Sequence, residues 1–264
     1  LGAVMGAKRL KGVVVKGTGR IPVHDTEGIL RWRKAHFLKK PRDTRKIYER
    51  FRAMGERTWE HLFTTKNWQN VPFNSFKEPW IEELAAGDLV KKNLFLHCSH
   101  CSVGCVESFK DETGKRYQTG QHTAKMGALC MIDDMARLQE SYDLCQKLGM
   151  DSISLGSALA FAMEAFERGL ITVKDTDGLD LAWGNSEAML QLTEKTGRQE
   201  GFGKLLGAGV KGMADYLGEE AQDFAVHIKG NDPTLQDFRA WNAGAVENVT
   251  CSRGAHHFEG LTLA

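Results

Sequence analysis

Three thiols fall within eight residues in the run His97-Cys-Ser-His-Cys-Ser-Val-Gly-Cys105, which places Cys98, Cys101 and Cys105 in a C-x2-C-x3-C cluster. Thiols packed so tightly, beside histidines and Gly104, suit a soft metal better than a hydrophobic core. Structural zinc normally draws its ligands as two short pairs separated by a loop, and no second pair follows nearby. Three ligands from one turn with a fourth from far away is a pattern that iron–sulfur clusters use. The spacing favours iron–sulfur over zinc, with a purely structural thiol group third. Cys130 and Cys145 lie on or near an apolar stripe, where buried cysteine behaves as a small hydrophobe. Cys251 instead precedes Ser252-Arg253-Gly254-Ala255-His256-His257, whose arginine and two histidines suit anion or proton handling, although a satisfied surface pair is the commoner fate of such histidines.

The elements that must hold these residues are mostly helical. Periodicity predicts helices over Asp25–Lys39 and Arg42–Thr64 with Pro41 between them, a loop over Trp68–Phe76, and a short helix over Pro79–Ala86 opened by its proline. A long helix is predicted over Ala124–Leu148. Its residues Ala128, Met131, Ile132, Met135, Leu138, Tyr142, Cys145 and Leu148 recur at three- and four-residue steps, and Gly149 stands where a C-terminal cap belongs. Asp151 and Ser152 offer N-caps for a second helix, Ile153–Arg168, apolar nearly all round and closed by Gly169. Asn185–Thr196 and a glycine-loosened Gly203–Leu217 read as two more. Ala225–Lys229 reads as a strand, and from Asn231 onward the chain reads as irregular.

The chain has 264 residues, 42% of them hydrophobic, with six tryptophans, enough for one large domain or two modest ones. The longest apolar run, Ala158–Met163, is far too short to span a membrane. Net charge is +1, which gives no electrostatic reason to expect nucleic acid. The charge is uneven, though: Arg31 to Arg57 holds eleven Lys/Arg against three Asp/Glu. That is either the solvated face of two helices, the commoner case, or a dock for an acidic electron carrier. Six cysteines in a chain of this size do not make a disulfide scaffold. Metal binding in a reducing, cytoplasmic compartment is the expectation, as no signal peptide is visible. The opening, with Gly2 and Gly6 in a turn and Lys11–Lys16 as a buried strand, reads as the middle of a longer polypeptide. Gly17-Thr-Gly19 and Gly207-Ala-Gly209 lack the context of a dinucleotide fingerprint.

Several segments resemble, in order, the tungsten-containing aldehyde:ferredoxin oxidoreductases. Gly2-Ala-Val-Met-Gly-Ala-Lys-Arg-Leu-Lys-Gly-Val-Val-Val is similar to the segment closing that family's first domain, and the cysteine run resembles its C-x2-C-x3-C. Leu148-Gly-Met-Asp-Ser-Ile-Ser-Leu-Gly156 resembles a pterin-contacting stretch. Phe161-Ala-Met-Glu164, Gly169-Leu-Ile, Trp183-Gly-Asn and Arg198-Gln-Glu-Gly-Phe-Gly203 follow in the family's order, and Ser252-Arg-Gly-Ala-His-His257 resembles its Asn-Arg-Gly-Gly-Cys-His loop.

The resemblance implies a mainly α fold: the family's helical middle domain over 21–264, incomplete at its C-terminus, with 1–20 as a short strand left from the pterin-cradling β-domain. It implies a tungsten (or molybdenum) bis-pterin, a [4Fe–4S] cluster on Cys98, Cys101 and Cys105 with a fourth cysteine from a third domain, oxidation of an aldehyde to a carboxylic acid, and ferredoxin as acceptor. A homodimer or a subunit of a larger redox complex fits the family. By the same resemblance Met150, Asp151 and Gln146 face a pterin, Arg253 forks to its phosphate, and His257 is the active-site histidine.

Three positions depart from the pattern. A family glutamate near tungsten falls by spacing on Gln121, whose carboxamide orients water but cannot take its proton; His122 is a substitute only if the segment turns it inward. Gln146 stands where the family has aspartate. Glu140 matches one ligand of a subunit-bridging iron, but Leu190 occupies the other, so no such iron is expected. Gln121 also supports an alternative, a related tungstopterin enzyme acting on a hydroxyacid or acyl thioester. A non-catalytic iron–sulfur electron-transfer subunit is the third reading.

Overall fold

A computed structural model describes residues 2–19, 21–35, 64–69, 95–96, 106–110, 114, 116–119, 121–234, 237–239 and 242–255. Helices dominate, as expected, and the most buried of them organises the rest. Helix α5, Ser152–Glu167, follows α1 (Gly2–Ala7), α2 (Thr26–Arg33), α3 (Gln121–Cys130) and α4 (Met135–Leu148). Leu159, Ala160, Phe161, Met163 and Ala165 of α5 are fully buried. It begins where Asp151 caps it, accepting from the backbone N–H groups of Ile153 and Ser154, and it ends before Gly169, whose φ of 76° leaves the helical region.

Helix α3 crosses α5 at Gly156, where an added Cβ would sit 3.1 Å from the backbone nitrogen of Met126. Helix α6 (Ser186–Arg198), capped by Asn185, packs on α4. Helix α7 (Phe202–Leu206) packs on α6 and α5, α8 (Gly209–Leu217) packs on α5, and α9 (Glu219–Gln222) packs on α8. Phe224, just beyond α9, stacks on Phe161 with ring centroids 4.9 Å apart. A last helix, α10, spans Asn242–Thr250.

Glu164 is buried on α5 and is balanced there. Its carboxylate accepts from Arg168 Nη2 at 2.6 Å and from Asn67 Nδ2 at 2.7 Å, so the buried charge is paired and hydrogen-bonded rather than stranded. Together with the Lys66–Glu167 ion pair at 2.8 Å, this network fastens segment 64–69 to the helical core.

Several sequence expectations are corrected. Lys11–Lys16 is not a buried strand: Val14 is 98% exposed, and no strand among the described residues lies beside it to supply ladder hydrogen bonds. Gly2 and Gly6 belong to helix α1 rather than a turn. The long helix is two helices, because Asp134 accepts from the N–H groups of Ala136 and Arg137 and starts α4, while Met131 adopts φ 61°. Gly203–Leu217 likewise divides at Gly207-Ala208. Ala225–Lys229 makes only a single bridge, Ile228 to Asn231, and α10 occupies part of the stretch read as irregular.

The only sheet among the described residues was not anticipated: an antiparallel meander of β1 (Phe95–Leu96), β2 (Val106–Lys110) and β3 (Arg116–Thr119). The helices expected over Arg42–Thr64 and Pro79–Ala86, the end of Asp25–Lys39, and most of the Trp68–Phe76 loop lie outside the described residues.

Candidate cofactor cleft

A cleft of about 320 Å³ opens where the C-terminal end of α4, the N-terminal turn of α5, the end of α6 and the α7–α8 junction meet. That volume lies within the range of small-molecule sites. Leu148, Leu155 and Leu206 supply apolar lining, and Asp151, Ser154 and Gln199 supply polar groups. The local chain explains the shape. Gly149, at φ 74°, ends α4 and turns the backbone sharply into Met150, whose N–H donates to the Cys145 carbonyl at 2.9 Å, and α5 begins at once.

Asp151 therefore stands at the mouth of the cleft with its carboxylate held by its own helix. Oδ2 accepts the Ser154 hydroxyl at 2.7 Å and the Ser154 N–H at 3.2 Å, while Oδ1 accepts the Ile153 N–H at 3.4 Å. The residue is exposed, so acceptor capacity remains for a ligand. Asp232 Oδ2 lies 3.9 Å from where a Cβ on the cleft residue Gly209 would stand. Lys125 of α3 is fully buried, and its ammonium donates to the carbonyl of Pro233, the residue after Asp232. Burial pulls the Lys125 pKa down to about 8 against the opposing pull of Asp232, Asp151 and Cys130. Burial likewise raises the Asp232 carboxyl above its ordinary value, countered by Lys125 and Ser154.

Of the predicted site residues, Met150 and Asp151 line the cleft. Gln146 does not; it sits on the exposed side of α4. Arg253 is exposed on the stretch after α10, and its carbonyl accepts from Asn231 Nδ2 at 2.7 Å. Lys229 Nζ donates to the Cys251 carbonyl at 2.8 Å, and Gly254, at φ 78°, packs against the Ile228 carbonyl. The 228–233 turn thus carries the arginine loop on one side and receives the Lys125 ammonium at the Pro233 carbonyl on the other.

Gln121 and His122 open α3, so they leave a helix start rather than an extended segment. Cys98, Cys101, Cys105 and His257 lie outside the described residues. The register pairs Leu96 with Val106, so the sheet residues on either side of the cysteine segment are direct antiparallel neighbours. Cys130 and Cys145 are buried free thiols, as expected; burial raises both, Cys145 to about 12, which keeps them protonated and inert. Glu140 is ion-paired with Arg137 at 2.9 Å on the outer side of α4.

Sequence reasoning missed Lys125, Ser154 and Asp232. A signal existed for the first: Lys125 is a lone charge three residues before Ala128 on the apolar stripe, where a cation survives only with partners supplied by the fold.

A family model described as "Aldehyde ferredoxin oxidoreductase, domains 2 & 3" matches residues 51–264. The chain is 30% identical over 280 residues to a tungsten-containing aldehyde ferredoxin oxidoreductase of Pyrococcus abyssi, covering 98% of this chain and 44% of that protein. It is 28% identical over 250 residues to the WOR-like subunit of an aliphatic sulfonate oxidoreductase of Pyrococcus furiosus, covering 87% of this chain and 38% of the relative. Among solved structures, the active site complex BamBC of benzoyl coenzyme A reductase superposes with a TM-score of 0.51 at 23% identity, over 69% of this chain and 28% of that one, a likeness of fold. The chain spans less than half the length of the curated relatives it matches. No helix among the described residues is long and apolar enough to cross a membrane. By sequence along most of its length, the chain belongs to the aldehyde ferredoxin oxidoreductase family.

Proposed function

We propose that this chain is the helical, cluster-bearing part of a tungstopterin oxidoreductase that oxidises aldehydes to carboxylic acids. The division into 1–20, closing a preceding β-domain, and 21–264, a helical middle domain, belongs to this reading. The observation that carries it is Asp151: an exposed carboxylate fixed by Ser154 at the mouth of a ligand-sized cleft, in the stretch that resembles the family's pterin motif.

The residues present fit such a group. A pterin offers a planar face and an N–H-rich edge. Leu148, Leu155 and Leu206 would pack its face, and Asp151 would accept from its edge. Arg253, exposed beside the 228–233 turn, would take its phosphate. Cys98, Cys101 and Cys105 would hold a [4Fe–4S] cluster. When bound, the tungsten pterin would supply two-electron oxidation and the cluster a one-electron route towards ferredoxin or a similar carrier. The overall change is aldehyde plus water to carboxylic acid, two protons and two electrons. His257 holds or moves one of those protons and Gln121 orients the water, since a carboxamide donates and accepts hydrogen bonds without titrating. The basic stretch Arg31–Arg57 would receive the acidic carrier, within a reducing cytoplasm.

Metal and pterin analysis of the full-length protein tests the reading. Tungsten, pterin and about one four-iron cluster per subunit are expected; zinc alone would end it. Gln121 favours a second reading, a related tungstopterin enzyme acting on a hydroxyacid or acyl thioester. Full activity over an aldehyde panel with a viologen acceptor, unimproved by Gln121→Glu, would remove it.

A further inference from the structure

Among the described residues, the polar side chains lining the cleft are those of Asp151, Ser154, Thr196 and Gln199. The two hydroxyls have spent their hydrogens: Ser154 donates to Asp151 Oδ2 at 2.7 Å, and Thr196 donates to the Leu192 carbonyl at 2.7 Å. An ionised Asp151 only accepts. Gln199 is the exception. A carboxamide carries two N–H groups and an acceptor oxygen, and its bond to the Thr196 carbonyl, at 2.9 Å, engages one N–H.

Capping does not account for a glutamine at this position. Gln199 ends α6 at φ 57°, in the left-handed region where helices most often place glycine. The Thr196 carbonyl already accepts the Gln199 backbone N–H at 3.1 Å, so the side chain adds a second bond to an oxygen that is satisfied. That second bond fixes the carboxamide. A Cβ on Gly207, which lines the same cleft, would stand 2.7 Å from Gln199 Nε2. The amide therefore lies against the α7–α8 junction, in room left by the missing side chain of Gly207.

We propose that Gln199 is a second ligand-contacting residue of the cleft, the donor that complements the Asp151 acceptor on an aminopyrimidinone ring. This rests on the pterin reading above. The edge of such a ring carries N–H groups beside a carbonyl oxygen. Asp151 accepts from the N–H groups, and the remaining N–H of Gln199 donates to the carbonyl. The end of α6 and the start of α5 thus hold the heterocycle in one orientation.

The test compares Gln199→Gly and Gln199→Met with wild type in the full-length holoenzyme. Two readouts serve: pterin per subunit after dialysis, measured by fluorescence after oxidative release, and helical circular dichroism of the same samples. The two substitutions act oppositely on the helix end, because glycine relieves the left-handed backbone and methionine keeps its strain. Both remove the donor. Each should therefore lower pterin retention about tenfold, the loss of one hydrogen bond, with the helical signal unchanged.

A residue that serves only the helix end gives a different result: Gln199→Gly then keeps wild-type retention and only Gln199→Met loses it. That divergence overturns the inference, as does loss of the helical signal in both variants. Should one variant fail to fold, the other decides, and undiminished retention contradicts the proposal. A wild-type protein without pterin overturns the functional reading itself, whereas pterin-loaded wild type with undiminished variants overturns only this inference.

Discussion

Gly203 meets Lys195 backbone to backbone: a Cβ on Gly203 would stand 2.3 Å from the Lys195 carbonyl carbon and 2.5 Å from its oxygen. Helix α7 can therefore close on the end of α6 only with glycine there, and this closure sets one wall of the cleft. Gly203→Ala should push the helices apart and destabilise the protein by about 1–3 kcal/mol, the usual cost of overpacking. Denaturant unfolding of the variant checks it; an unchanged midpoint would contradict the close approach.

Asp177 fastens the same wall from the other side. Its Oδ2 accepts from the Phe202 N–H at 2.9 Å and from Lys195 Nζ at 3.0 Å. The Phe202 hydrogen bond first, then Lys195, hold its carboxyl below the ordinary value. A carboxylate lowered on folding adds stability that is complete above the unfolded pKa and lost as pH falls through the folded one. Asp177→Asn should cost about 1 kcal/mol at neutral pH, allowing for a partly exposed pair. The difference from wild type should begin to shrink near pH 3.8, the group's ordinary value, and vanish only as pH falls through its lower folded value. Melting curves across pH measure it.

Lys125 has a linkage of the same sign, at high pH instead of low, and from a charge that burial penalises rather than one its partners favour. Its pKa falls from 10.5 to about 8 on folding, so between those values the unfolded chain binds the extra proton and stability rises with pH. The raised thiols of Cys130 and Cys145 oppose this above pH 9, their ordinary value. Cys145 cancels when wild type is compared with Lys125→Met, while Cys130, whose thiol Lys125 lowers, contributes to the difference only above pH 9, its ordinary value. Wild type should therefore gain on the variant from pH 8 towards pH 10.5, and a constant gap would contradict the buried charge.

What the sequence made legible was local. Asp151 before a serine and Gly149 after an apolar stripe act within one turn, and the helix ends at both follow. The break between α3 and α4 was hidden because Met131, Ile132 and Met135 keep helical spacing across it, although Asp134 restarts the helix and Met131 leaves it. The β1–β3 meander and the Lys125 cluster depend on distant partners. Pro233 is 108 residues from the lysine whose ammonium it receives, and no window of neighbouring residues contains that pairing. The same limit applies to Asp232, ordinary in its own segment and placed near the cleft only by its approach to Gly209. Gln146 stands exposed on α4 outside the cleft lining, and its pterin contact rests on the resemblance alone.

The cysteine assignment carries its own expectation. In the full-length protein, Cys98→Ser should abolish the cluster's visible absorption and most of the iron while leaving the helical core folded, since Leu159, Phe161 and Met163 bury without it. Unchanged iron content would refute the ligand assignment.

The most direct test of the whole account is elemental and pterin analysis of the full-length protein purified under reducing, oxygen-free conditions. The account predicts tungsten (or molybdenum), pterin and about four iron atoms per subunit. Zinc with neither pterin nor iron would contradict it.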